Sequence, residues 1–122
     1  RCAVEPILAR AGFSFQSGNS LEDVLENLNE NSFRLFLFDG RFYDKREKGK
    51  IGFYFGQAVE MTKQYYENPK VIYFSNDNRG EETANAFGAY FFDKAKRNIR
   101  ELPIVVARML EKDSNHFYQK DI

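Results

Sequence analysis

Three apolar runs in this chain each end in a side chain suited to handling a phosphoryl group. SFRLFLFDGR (32–41) delivers Asp39, KVIYFSND (70–77) delivers Ser75, and AYFFDKA (89–95) delivers Lys94. A carboxylate can accept a phosphoryl group, a hydroxyl can hydrogen-bond its oxygens, and an ammonium can neutralise them. Each residue alone has a plainer reading: Asp and Ser at strand ends are usually turn or cap residues, and a Lys is usually a solvated charge. The chemistry lies in the combination, which requires the three runs to be strands sharing one carboxyl edge.

The runs have the composition for that. Phe33, Leu35, Phe36, Leu37 and Phe38 are apolar on both faces of an extended chain, as is VIYF, which is the pattern of strands inside a parallel sheet covered by helices. At the carboxyl edge of such a sheet loops converge and helix N-termini present free N–H groups. Helical patterns lie between the runs. Val4, Ile7, Leu8 and Ala11 have helical spacing, with Gly12 where a C-cap belongs. Phe13 and Phe15 alternate with polar residues as a short strand. Ser20 caps a helix that carries Asp23 in its first turn and Leu21, Val24, Leu25 and Leu28 on one face. A third helix runs from Gly56 to Asn68, where Asn68 and Pro69 stop it. Residues 79–88 form a short helix, and a last one falls within 98–113, with Pro103 in its first turn and Leu102, Val105 or Val106, Met109 and Leu110 facing inward. The tail, 114–122, lacks periodicity and is expected to fray. Strict alternation of helix and strand implies a parallel sheet with right-handed crossovers.

Composition narrows the function classes. At 122 residues the chain fits a single domain, spanning 1–122, which buries roughly two-thirds of its unfolded surface. With 18 basic and 18 acidic residues, its charge balance indicates neither nucleic acid nor an anionic membrane. The single cysteine, Cys2, excludes an internal disulfide, and the absence of a long apolar run or signal-peptide pattern leads us to expect a soluble cytoplasmic protein. His116 has no companion ligand or base. The connection over residues 40–55 is long. Its basic centre, Lys45, Arg46, Lys48 and Lys50, reads as a solvated loop; the length of the segment and its Phe53, Tyr54 and Phe55 cluster lead us to expect residues 41–55 to act as a lid restricting access to Asp39.

On these residues the chain resembles the receiver domain of bacterial response regulators, the CheY-like family of the flavodoxin-like α/β fold. Asp39 in LFLFDG matches the family's phosphoacceptor, Ser75 in VIYFSND its Ser/Thr, and Lys94 in GAYFFDKA its Lys. Phe91, three residues before Lys94, stands at the switch aromatic. The resemblance covers residues 2–112. It implies phosphorelay signalling, with a histidine kinase donating to Asp39 and Phe91 repacking in response. The implied partner is a signalling protein, and a homodimer is compatible with it.

The family's first strand ends in an acidic pair that holds Mg²⁺ with the phosphoacceptor. The sequence opens at Arg1, after the place of that strand, so we expect a strand from upstream or from another chain beside residues 33–38, and Mg²⁺ only if it brings acidic residues. Asp39 is otherwise the sole metal ligand, with Asp77 or Asp93 needed to reach across. Gly40, Arg41 and Phe42 replace the family's Met-Pro turn, and Ala95 replaces a Pro. Two enzyme readings fare worse. An Asp-x-Asp phosphohydrolase needs a carboxylate where Arg41 stands, and Gly49, Gly52 and Gly56 fit no nucleotide-binding loop. The expectation is therefore a receiver-like regulatory domain and not an enzyme, with a phosphorylation-independent pseudo-receiver as the alternative.

Overall fold

The computed structural model describes residues 4–18, 20–39, 42–44, 50–52, 55–76 and 78–121, with the backbone alone at 42–44, 50–52 and 112–121. The chain divides into two compact units: residues 16–96, and residues 1–15 together with 97–122.

In the first unit, Ser20 is extended (φ −143°) and its hydroxyl accepts the Asp23 amide at 3.2 Å, satisfying an otherwise orphaned donor at the start of helix α2, Leu21–Glu30. Leu21, Val24 and Leu28 form the buried stripe, while Leu25 is exposed. Strand β1 is Phe36–Asp39. Next come two short strands, β2 (Phe42–Asp44) and β3 (Lys50–Gly52), paired antiparallel as a hairpin within the stretch read as a loop. Lys45, Arg46, Lys48, Phe53 and Tyr54 lie outside the described residues, as do Gly40, Arg41 and Asp77, while Phe55, the third aromatic of the expected lid, is buried in the core. Helix α3 is Phe55–Lys63. Its buried Thr62 donates to the Val59 carbonyl at 2.7 Å, and turn hydrogen bonds carry the chain towards Asn68, whose φ of +53° ends the right-handed path. Strand β4 (Val71–Ser75), helix α4 (Gly80–Ala86) and strand β5 (Tyr90–Asp93) complete the unit.

The sheet is parallel, in the order β1-β4-β5. The Phe36 amide donates to the Lys70 carbonyl at 2.8 Å. In a parallel ladder successive residues serve opposite neighbours, so Phe36 and Phe38 bond towards β4 while the N–H and C=O of Leu35 and Leu37 point the other way. Among the described residues β1 pairs with β4 alone; the strand expected beside residues 33–38 is not among them. Residues 13–18 form no strand either. The alternation at Phe13 and Phe15 is local, and a strand persists only when another backbone satisfies its ladder.

Both faces of the sheet carry buried side chains, Ile72, Phe74 and Phe92 on one and an aromatic cluster on the other. Phe36, Phe38, Val71 and Tyr73 pack with Leu21, Val24, Leu28, Phe55, Ala58, Val59 and Ala84. Phe55 stacks on Tyr73 with ring centroids 4.1 Å apart and meets Phe38 and Phe87 edge-on. The Tyr66 hydroxyl accepts the Phe33 amide at 2.8 Å, tying the end of α3 to the entry of β1. Two glycines admit aromatic rings against helix backbone. A Cβ at Gly56 would fall 2.6 Å from Phe87, and one at Gly80 would collide with Phe91.

The second unit holds helices α1 (Val4–Arg10) and α5 (Leu102–Asp121), which touch each other. Gly12 at φ +91° closes α1 in the left-handed conformation that glycine adopts without a Cβ clash. A 3₁₀ turn, Ile99–Glu101, leads into α5 through a capping box: Asn98 accepts the Arg100 amide and the Glu101 carboxylate accepts the Asn98 amide. The hydrogen bond from Arg97 and that backbone amide hold the Glu101 carboxyl below its ordinary range, against a small opposing effect of burial. The helix continues past residue 113 into the stretch expected to fray, since no Gly or Pro follows Pro103 to interrupt its hydrogen bonds.

Candidate site at the carboxyl edge

Register decides what meets at this edge. Asp39 on β1 is the partner of Phe74 on β4, which in turn is the partner of Phe92 on β5. Register partners in parallel strands project to the same face, so Asp39, Phe74 and Phe92 form one row across the sheet. Lys94, two residues beyond Phe92, belongs to the same face. Its amide donates to the Ser75 carbonyl at 2.9 Å, extending the β4–β5 ladder by one bond. Its ammonium reaches both oxygens of Asp39, Oδ1 at 3.4 Å and Oδ2 at 3.3 Å, and both side chains are about one-third exposed. The pair is therefore accessible, and water screens its attraction.

Ser75 is placed differently. It is the register partner of Asp93, and the alternation along β4 turns its side chain to the face of Val71 and Tyr73, where it is 4 % exposed. Phe91 is on that same face, half-buried, packed against the core with its ring 5.9 Å from that of Tyr73 and lying over Gly80. Asp39 and Lys94 are brought into contact. Ser75 shares the edge with them and supports Lys94 through its carbonyl. Phe91 sits on the opposite side of the sheet from the pair.

One participant was missed in the sequence. The Phe74 ring lies beneath the Lys94 ammonium, 4.9 Å from centroid to Nζ. Counting back from Ser75 places Phe74 on the other face of β4, but only the β1–β4 register shows that this face carries Asp39.

The described residues contain no cluster of three or more Asp, Glu, His or Cys that could hold a metal. Asp93 belongs to the other face, and its carboxylate accepts the Ala95 amide at 2.9 Å. Among the described residues, a groove of about 650 Å³ is lined by residues of α3 together with Thr83 and Phe87, and contains neither member of the pair. No described helix is long and apolar enough to cross a membrane. No protein-family model matches this chain, and no curated protein is significantly similar to it.

Proposed function

We propose that this protein carries a receiver-like regulatory domain in which Asp39 accepts a phosphoryl group in phosphorelay signalling. The observation that carries the reading is the Lys94 ammonium within 3.4 Å of both Asp39 oxygens at the carboxyl edge of a parallel sheet. The three parallel strands joined through helices are compatible with a flavodoxin-like fold.

In the transfer, an Asp39 oxygen forms a bond to the donor phosphorus as the donor's P–N or P–O bond breaks, and the leaving group takes a proton from solvent. The donor in the cell is a phosphohistidine of a kinase. Lys94 neutralises part of the charge on the equatorial oxygens. Where Lys94 is the group that neutralises this charge, transfer is slow. Phe91 reports the change through its packing on Gly80 and Tyr73.

The test is incubation of the 122-residue chain with acetyl phosphate, with and without Mg²⁺, followed by intact mass, with Asp39→Asn alongside. We expect a slow single modification that Asp39→Asn abolishes. Fast, strictly Mg²⁺-dependent modification would mean that other residues supply a metal site. No modification at all would favour the alternative, a phosphorylation-independent module that binds partner proteins.

A further inference from the structure

The contact between Asp39 and Lys94 spans the whole described sheet. Their strands, β1 and β5, are separated by β4, so their backbones are about 9–10 Å apart at ordinary strand spacing. The Lys94 side chain must cross β4 to reach the carboxylate, and the residue it crosses over is Phe74. A lysine stem has many rotamers, most of which would carry the ammonium into solvent. An exposed carboxylate alone holds such a side chain weakly.

The geometry points to Phe74 as a positioning residue that holds the Lys94 ammonium over β4 and thereby aims it at Asp39. Three observations support this. The ring is 3 % exposed and set against Phe92 at 5.4 Å, so its orientation is fixed by packing. Its π face meets the ammonium at 4.9 Å, inside the distance at which a ring quadrupole attracts a cation. Its register partner is Asp39 itself, so the ring and the carboxylate are adjacent attractors for one charge. An aliphatic side chain at this position would fill the same space without the electrostatic attraction.

This role rests on the phosphoryl-acceptor reading only for its effect on rate. The placement of Lys94 is testable without it. Ring current from Phe74 should shift the Lys94 side-chain proton resonances upfield. Phe74→Leu should move them to ordinary lysine values, and Phe74→Tyr, which keeps the ring, should retain the shift. With acetyl phosphate as the probe, Phe74→Leu should lower the rate at saturating donor about two- to fivefold, the range a cation–π contact of ordinary strength corresponds to, and Phe74→Tyr should restore it. Should Phe74→Leu fail to fold, Asp39→Asn provides the second arm, since Lys94 must keep its shifted resonances after losing the carboxylate. Lys94 resonances at ordinary lysine values in the wild type, or unchanged in folded Phe74→Leu, would overturn the assignment. Shifted resonances without phosphoryl uptake by the wild type would uphold the placement by Phe74 and refute the phosphoryl reading alone.

Discussion

The two faces of the sheet meet the carboxyl edge in different ways. On one face Asp39, Phe74 and Lys94 make a partly exposed ion pair resting on a ring. On the other, Tyr73, Ser75 and Phe91 continue a packed aromatic core, in which Phe55 stacks on Tyr73 and Phe91 fills the space above Gly80. At the end of β1 consecutive residues thus serve opposite purposes, Phe38 buried in the core and Asp39 meeting Lys94. The packed side has little freedom to change without cost, because displaced rings leave voids or clashes. The charged side can lose its partner and stay folded, because water replaces the contact. The difference shows how a single strand can hold a rigid core and present a reactive group one residue later.

The sharpest way to break the contrast is to cut into the packed face. Phe55→Ala removes a ring that is 1 % exposed and touches Tyr73, Phe38 and Phe87. It should lower stability by about 3–5 kcal/mol in urea titration; a loss below 1 kcal/mol would mean the aromatic stack is not the core of this unit.

A smaller effect, and one in which the sign itself is informative, comes from Gly80→Ala. In an open helical position that change stabilises by about 0.5–1 kcal/mol. Here the new methyl meets the Phe91 ring, so we expect a loss of about 1–3 kcal/mol from overpacking, with shifted Phe91 ring resonances. A gain in stability would show that Phe91 is not seated on Gly80.

The smallest expected change in stability is on the charged face. Lys94→Met keeps an unbranched stem over Phe74 and removes the charge, and should alter unfolding free energy by less than about 1 kcal/mol while slowing phosphoryl uptake at Asp39. A loss comparable to that of Phe55→Ala would mean that the pair is structural.

Local features were legible in the sequence because they depend on near neighbours in the chain. Ser20 caps α2 through an amide three residues away, Gly12 and Asn68 adopt left-handed backbone where the helical patterns stop, and the two-faced apolar runs around Phe36 and Tyr73 are strands. The presence of Asp39 and Lys94 at strand ends was readable on the same grounds. What required the tertiary structure was everything set by register and by distant partners. Phe13–Phe15 have the alternation of a strand, yet no described backbone completes their ladder. Residues 42–52 look like loop, but contain a hairpin because two three-residue segments pair with each other. Ser75 and Phe74 are adjacent in sequence and nearly equally buried. Which of them lies beneath Lys94 was decided by the alignment of β4 with β1 and β5, since a one-residue slip of a strand exchanges its two faces.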